Sequence, residues 1–212
     1  MKNLGVTYDS DFSFSQHISS VVRSCFIHVN NFRRIRKYLS QLVAISLANA
    51  LVSSRLDYCN SLLYSVTQKE LMRLQRVQNT ICRIITRLPR QASITGALKS
   101  LHWLPGNYRI KIKLQCLTFK ILQSGQPSYL CSYIHPYTCI KHTRRSDPEQ
   151  KYLEIPRFDS RVLRSKNMFV KAFCHLAPTL WNTLPLQART ASALSSFRLS
   201  LKAHMFSQVY PP

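Results

Sequence analysis

Apolar residues recur at helical spacing in the first part of the chain. From Ser15 onward they follow a period near 3.6, and the row consists of Ile18, Val21, Val22, Cys25, Val29, Phe32 and Leu39. This spacing places the apolar side chains on one side of an α-helix. The segment ends in a basic run of Arg33, Arg34, Arg36 and Lys37, which suits the negative C-terminal end of a helix. Ser40 is placed to cap a second helix over residues 41–52.

A further long helix is predicted over residues 67–89. Thr67 and Glu70 have the spacing of a capping box, in which each side chain accepts a hydrogen bond from a free backbone N–H at the helix start. Pro89 is predicted to end the helix, because proline cannot continue it. One side is apolar and consists of Leu74, Val77, Ile81, Ile84, Ile85 and Leu88. The side next to it carries only arginines, namely Arg73, Arg76, Arg83, Arg87 and Arg90.

Beyond Pro89 the pattern predicts shorter or less regular elements. A short helix over residues 94–100 leads to a longer one that Asn107 caps and Gly125 ends, with Arg109, Lys111 and Lys113 among its basic residues. Later segments predict one helical turn over residues 178–185 and a final helix that Ser195 caps. Residues 2–8 favour a short strand. The sequence therefore predicts a mainly α fold, a helical bundle with a short N-terminal strand and a less regular basic C-terminal tail.

The net charge of the chain indicates the class of partner. The chain has 30 Lys and Arg residues against 8 Asp and Glu residues, a net charge of +22. After Glu70 no acidic residue appears until Asp147, so the arginines of the predicted helix have few local partners. A charge of this size favours a polyanion. Nucleic acid is the leading partner class, and a membrane surface is not expected, because the basic residues are spread along the chain and do not cluster beside an anchor.

The hydrophobic stretches and the cysteines indicate the cellular compartment of the protein. The N-terminus has no apolar run of signal-peptide length, and the best hydrophobic stretch, residues 42–52, is too short to span a bilayer. We therefore expect an intracellular protein, in the nucleus or the cytoplasm. Seven cysteines is an odd number, and five of them lie in apolar segments, which favours reduced thiols that pack in the interior.

Candidate catalytic and metal-ligating residues are few. Asp9 and Asp11 are two residues apart, but they follow a predicted strand, where a turn is favoured over a metal site. A second array consists of Cys131, His135, Cys139 and His142. It lacks the close ligand pairs usual for zinc, so loop and packing residues are favoured and zinc is the alternative. No nucleophile motif is present, and we expect neither a cofactor nor enzymatic activity in the isolated chain.

Several blocks of the sequence resemble one known family. They are Leu4-Gly5-Val6 with Phe14 and His17-Ile18, SRLDYCNSLLY at 54–64, LQRVQN at 74–79, LKSLHWLP at 98–105, YRIKIKLQCLTFK at 108–120, PSYL at 127–130, LWNTLP at 180–185 and LSSF at 194–197. In this order and spacing, the chain resembles the C-terminal part of the reverse transcriptases (RNA-directed DNA polymerases) of LINE-type, non-LTR retrotransposons. The resemblance covers nearly the whole chain.

This resemblance implies a place in a larger polymerase. Residues 1–90 would hold the palm edge and a thumb-like helical region, and residues 91–212 a C-terminal helical and irregular basic region. The Asp-Asp catalytic site of the family lies upstream, in palm and endonuclease domains that this chain lacks. The implied partner is RNA or DNA, a template–primer duplex held by its backbone. The residues that we expect to bind it are Arg73, Arg76, Arg83, Arg87, Arg90, Arg109, Lys111 and Lys113.

Two alternatives stay open at this point. The chain could be a remnant or domesticated basic module that binds protein partners through apolar surfaces and has no polymerase role. Trp103, Tyr108 and Trp181 could stack on bases, although their apolar flanks favour packing in the core.

Overall fold

The computed structural model describes residues 1–137, 150–157 and 172–211, and there the mainly α prediction is confirmed. The strands are β1 (Lys2–Asn3) and β2 (Val6–Thr7). The α-helices that begin before residue 110 are α1 (Ser15–Ile35), α2 (Gln41–Ala48), α3 (Ser54–Asp57), α4 (Gln68–Thr86), α5 (Thr95–Ser100) and α6 (Gly106–Ser124). The later helices are α7 (Ser128–Cys131), α8 (Phe173–Asn182), α9 (Leu186–Arg189) and α10 (Leu194–Val209).

The predicted N-terminal strand is a two-stranded antiparallel hairpin. Lys2 pairs with Thr7 and Asn3 with Val6. Leu4 and Gly5 form the turn, both with positive φ, at 45° and 79°. Because a positive φ costs glycine little, Gly5 allows the chain to turn tightly at this position. The segment therefore folds back on itself within the seven residues, 2–8, that the sequence predicts as one strand.

By its internal contacts the chain divides into two compact units, Met1–Ile110 and Lys111–Pro212. The division falls within α6. The boundary that the sequence analysis places after residue 90 concerns the regions of the resembled family, and it stays a prediction.

In the first unit, α1 packs along α4 around a core built from the predicted apolar rows. The buried cluster consists of Cys25, Val29, Phe32, Ala44, Ala48, Val52, Val77, Ile81 and Ile85. Leu101 and Trp103 pack against it. A large aliphatic side chain contributes about 1.5–3 kcal/mol when buried, so this cluster fixes how α1 and α4 lie against each other. Trp103 serves the core here, as its flanks predicted.

The ends of α4 differ from the prediction. Thr67 is the N-cap residue, but its side chain makes no capping hydrogen bond. Glu70 instead accepts hydrogen bonds from Ser15 Oγ at 3.2 Å and Arg73 Nη1 at 2.8 Å. The capping box is therefore wrong, because the carboxylate is drawn to partners that lie outside the helix start.

The C-terminus of α4 comes before Pro89. The helix ends at Thr86, and Arg87 adopts the left-handed conformation with φ of 54°. The N–H of Leu88 then bonds the carbonyl of Arg83 at 3.0 Å, and that of Arg87 bonds Ile84 at 3.4 Å. These two bonds form a Schellman motif. Backbone hydrogen bonding, and not the proline, ends the helix.

The second predicted helix contains an irregularity. Ser40 caps α2 as predicted, since its Oγ accepts a hydrogen bond from Val43 N at 3.4 Å. Between α2 and α3 the chain forms a π-helical segment, Asn49–Ser53. The wider turns add a residue between the two α segments and reorient the side chains that follow.

Two caps predicted for later helices are wrong. The helix α6 begins at Gly106, so Asn107 lies inside it, and the Asn107 side chain accepts from the N–H of Tyr108 at 2.9 Å. The last helix, α10, has Ala193 as its N-cap in place of Ser195. Gly125 follows the end of α6 with φ of 65°, so that stop signal is confirmed.

In the second unit, aromatic rings form the centre of the core. Phe119 stacks on Phe197 with centroids 4.4 Å apart, and Trp181 stacks on Phe197 at 5.8 Å. The indole N–H of Trp181 donates to the Lys151 carbonyl at 2.8 Å. Trp181 is therefore a core residue, and α8 extends to Asn182 through the internal Pro178. The sequence predicted only one turn there, because proline usually interrupts a helix.

Candidate nucleic-acid interface

The C-terminal ends of α1 and α4 enclose a cleft rich in cations. It has a volume of about 690 Å³. Its lining residues are Arg33, Arg36, Lys37, Thr80, Arg83, Ile84, Arg87, Leu88 and Arg90. We call this the basic cleft. Six of these nine side chains are cationic and, among the described residues that line it, none is acidic.

Arg36 forms the inner wall of the basic cleft. Its side chain is only 6% exposed. The guanidinium donates to the carbonyl of Ile85 from Nη2 at 2.6 Å and from Nε at 3.2 Å, and Nη1 donates to the carbonyl of Leu39 at 2.8 Å. Burial lowers the pKa of Arg36, and the charge of Arg87 lowers it further. Arginine nevertheless stays charged at neutral pH, so Arg36 joins α1 to the end of α4 and adds its charge to the cleft.

Arg83 fixes the loop that follows α4. Its Nη1 donates to the carbonyls of Pro89 at 2.7 Å and Ala92 at 2.8 Å. These two bonds fold the loop back against the helix, with Arg87 and Arg90 exposed on it. Within the part of the chain that the structure describes, Nε and Nη2 of Arg83 have no hydrogen-bond partner. Arg83 is thus both a scaffold for the loop and a cation of the cleft.

The positive charge exceeds what the helix ends require. Two helix C-termini carry together about one elementary negative charge, and cations near them are stabilised by it. The basic cleft holds six cations. Glu70 lies 13 residues before Arg83 on α4, which is about 20 Å at 1.5 Å per residue, well beyond the screening length of about 8 Å in physiological salt. Most of this charge is therefore offset neither by the helix ends nor by Glu70.

Two of the predicted binding residues are engaged elsewhere. Arg73 pairs with Glu70, with Nη1 and Oε2 2.8 Å apart. Arg109 pairs with Asp57, and its side chain is 22% exposed. The neighbouring carboxylates offset the positive charge at both positions. Neither arginine lines the basic cleft.

The other predicted binding residues fall into three groups. Arg83, Arg87 and Arg90 come together in the basic cleft. Arg76 is exposed on α4 outside the cleft lining. Lys111 and Lys113 belong to the second unit, with Lys113 exposed.

The sequence pattern predicts Arg33 and Lys37 only as the basic end of a helix and not as binding residues. The structure places both in the cleft lining beside α4. Their spacing of four residues puts them on one side of a helical turn, and this was the available signal. Nothing in the local pattern shows which other helix that side would face.

The candidate metal sites gain no support from the described residues. Asp9 Oδ1 accepts a hydrogen bond from Ser13 N at 2.6 Å, and hydrogen bonding by the Ser13 hydroxyl lowers the pKa of Asp9. Asp9 is therefore a turn residue, as predicted. No group of three or more His, Cys, Asp or Glu side chains within residues 1–137, 150–157 and 172–211 could hold a metal ion. Of the Cys/His array, Cys139 and His142 lie outside the described residues.

Three of the described cysteines, Cys25, Cys82 and Cys116, are buried, as expected for thiols that pack in the interior. Cys25, Cys59, Cys82, Cys116, Cys131 and Cys174 are free thiols, and Cys139 lies outside the described residues. None of the helices in the described ranges is both long and apolar enough to cross a bilayer.

Comparison of the chain with models of protein families, with curated proteins and with solved structures finds no match.

Proposed function

We propose that the chain is the nucleic-acid-gripping C-terminal part of a LINE-type reverse transcriptase. It would lack the catalytic palm and contact the backbone of a template–primer duplex through its basic helices. The observation that carries the proposal is the basic cleft, where cations from α1 and α4 converge without an acidic residue among the described lining. The order of sequence blocks that resemble the family is the second support.

The chemistry of the cleft suits the phosphate groups of a nucleic acid. Arginine presents several N–H donors in a plane that matches two phosphate oxygens. Arg87 and Arg90 lie at the end of α4 and on the loop that Arg83 holds in place, so the backbone that carries them is held before a ligand arrives. Backbone contacts of this kind give affinity without base specificity.

Salt titration tests the proposal. Each phosphate that a protein neutralises adds about −0.9 to the slope of log K against log salt for a duplex. With four or more contacts, we expect a slope of about −3 or steeper for an RNA–DNA duplex, measured by fluorescence anisotropy. A flat response would remove the basis for a phosphate grip.

A matched pair of variants locates the interaction. Arg87→Gln with Arg90→Gln removes two charges from the basic cleft, and Arg34→Gln with Lys69→Gln removes two exposed charges outside its lining. Glutamine is nearly as good a helix former as arginine. We expect only the first pair to make the salt slope clearly shallower.

The isolated chain is not expected to polymerise. Two-metal phosphoryl transfer needs carboxylates that converge on a pair of ions about 4 Å apart, and the sequence has no adjacent Asp-Asp pair. In a primer-extension assay with Mg²⁺, we expect no product above background. Robust synthesis would show that the chain is an enzyme.

A second candidate function rests on four exposed apolar residues that lie close together in sequence, between the end of α1 and the start of α2. Ile35, Tyr38, Leu42 and Val43 are 44%, 77%, 78% and 47% exposed, and we call these four residues the apolar patch. Exposed apolar surface is typical of protein-binding sites where it is contiguous, and these residues favour a remnant or domesticated module that binds protein partners. Leu42→Gln with Val43→Gln should leave nucleic-acid affinity unchanged under our proposal. If the wild-type chain binds no nucleic acid and associates through this patch, the second candidate replaces the first.

A further inference from the structure

We infer that the basic cleft takes the sugar–phosphate backbone of one strand at a time and leaves the bases outside. Arg33 and Lys37 of α1 would bind that strand together with Arg87 and Arg90. This inference rests on the proposed function and adds to it the part of the nucleic acid that is bound and two binding residues.

The arrangement of charge favours a single backbone. Cations from two parts of the chain line the cleft: Arg33 and Lys37 come from α1 and its 3₁₀ extension, and Arg87 and Arg90 from the C-terminus of α4 and the loop after it. Both pairs therefore offer N–H donors to the phosphates of one strand that enters the cleft. A duplex can offer only one of its two backbones to this concave surface. The cleft would therefore hold one strand, whether free or part of a duplex.

The lining chemistry does not favour base contacts. The described lining residues comprise arginine, lysine, threonine and two aliphatic side chains, Ile84 and Leu88. No aromatic ring is among them, although stacking on such rings is the usual way to bind bases of single strands. The hydroxyl of Thr80 donates to the Arg76 carbonyl at 2.7 Å. Arginine and lysine only donate hydrogen bonds, and this suits phosphate oxygens, which only accept them.

The same chemistry predicts no discrimination between RNA and DNA. A protein distinguishes the two mainly through the 2′-hydroxyl, which donates and accepts hydrogen bonds. The cationic side chains of the cleft would bind phosphate groups, which RNA and DNA share, and the aliphatic Ile84 and Leu88 suit the apolar face of either sugar. Equal binding of both nucleic acids follows.

The exposed ring of Tyr38 lies next to a cleft residue in the sequence, and its replacement tests whether bound bases stack on it. Tyr38 follows Lys37 directly and is 77% exposed. The Lys37 Nζ lies 4.8 Å from the centroid of its ring. If bound bases stacked on this ring, Tyr38→Ala would weaken binding roughly fivefold or more. We expect Tyr38→Ala to change single-strand affinity by less than about twofold, because the bases point away from the lining.

An abasic strand gives the direct test. We would measure by fluorescence anisotropy the binding of an oligothymidylate of about ten nucleotides, the same strand with abasic spacers, and the RNA equivalent. We expect the three affinities to agree within about threefold. A loss of more than about tenfold for the abasic strand would show that bases carry the binding, and would overturn the inference.

Matched triple variants test the assignment of residues. Arg33→Gln, Lys37→Gln and Arg87→Gln together remove three cleft charges, whereas Arg23→Gln, Arg34→Gln and Lys69→Gln remove three exposed charges elsewhere in the same unit. For a single strand each phosphate contact contributes about −0.7 to the salt slope. We expect the cleft variant to lose about 2 from the slope and the control to lose less than about 0.7. Circular dichroism would verify that both variants are folded.

The outcomes separate this inference from the proposed function. If the wild type binds duplex with a steep salt slope but the cleft variant behaves like the control, the cleft is not the site, while the broader proposal stands. If the wild type binds neither duplex nor single strand, the proposed function fails and the inference fails with it. A shallower slope in the cleft variant alone supports both.

Discussion

The guanidinium of Arg36 donates two hydrogen bonds to the carbonyl oxygen of Ile85, one from Nη2 at 2.6 Å and one from Nε at 3.2 Å. Ile85 is 49 residues away in the sequence and lies in the last turn of α4. The Nη2 atom also donates to Gln41 Oε1 at 2.8 Å. One arginine thus links the end of α1, the start of α2 and the end of α4.

Replacement of Arg36 should reduce stability. Hydrogen bonds to a charged group contribute about 1.5–3 kcal/mol, and Arg36→Gln removes several at once. We expect the free energy of unfolding in urea to fall by about 2–3 kcal/mol. Arg34→Gln, two residues earlier and exposed, should change it by less than about 0.5 kcal/mol. Equal losses in the two variants would contradict the role assigned to Arg36.

The two helix caps should respond differently to alanine. Ser40 Oγ accepts a hydrogen bond from Val43 N, and loss of such a cap usually costs about 0.5–2 kcal/mol. Because the bond is long at 3.4 Å, we expect Ser40→Ala to cost about 0.5–1 kcal/mol. Thr67→Ala removes no capping bond and should cost less than about 0.5 kcal/mol. The free energy of unfolding of both variants would be measured in urea. If Thr67→Ala were the more destabilising, the assignment of Ser40 as the residue that caps its helix and Thr67 as one that does not would be wrong.

Cysteine reactivity should follow burial. Desolvation raises the pKa of Cys25 and of Cys82 to about 11, so at about pH 8 only about one thiol in a thousand is ionised at each. Cys59 is partly exposed. With iodoacetamide and mass mapping of peptides, we expect Cys59 to react at least about tenfold faster than the two buried thiols. In urea the rates should converge, and fast labelling of Cys25 in the native protein would argue against the core as described.

Stability should decline in mild acid through His17. Burial lowers the pKa of His17 below its ordinary value of 6.5, so the unfolded chain binds a proton that the folded chain resists. The free energy of unfolding therefore falls as pH drops below about 6.5, and this loss ends once pH is below the folded-state pKa. His17→Gln should flatten the part of the curve between about pH 7 and pH 5. An unchanged curve in that variant would exclude His17 as a cause.

The long helices could be predicted because burial of one face imposes a period near 3.6 on the sequence. In these rows Cys25, Val29, Phe32, Val77, Ile81 and Ile85 are buried, and Val21, Val22, Leu39 and Ile84 are partly buried against them. Helix ends were less predictable. At Arg87 a bulky residue takes the left-handed conformation, which residue type signals only for glycine and asparagine. At Pro178 the burial of α8, including Trp181 at 2% exposure, outweighs the cost of an internal proline.

The candidate site was only half predictable for a different physical reason. Arg83, Arg87 and Arg90 are neighbours along one segment, so their common side could be read from local spacing. Arg33 and Lys37 join them only because α1 packs against α4. The pairing of Arg109 with Asp57 spans 52 residues, and no local pattern contains it. Long-range packing decides which cations remain available.

The bonds from Arg83 to Pro89 and Ala92 also bear on the thermodynamics of binding. A flexible basic loop loses conformational entropy when it meets a ligand, at about 1–2 kcal/mol for each residue whose backbone becomes fixed. Here the loop that carries Arg90 is already fixed against its own helix. Its ordering entropy is lost when the protein folds, so the loop is preorganised and association does not include that cost.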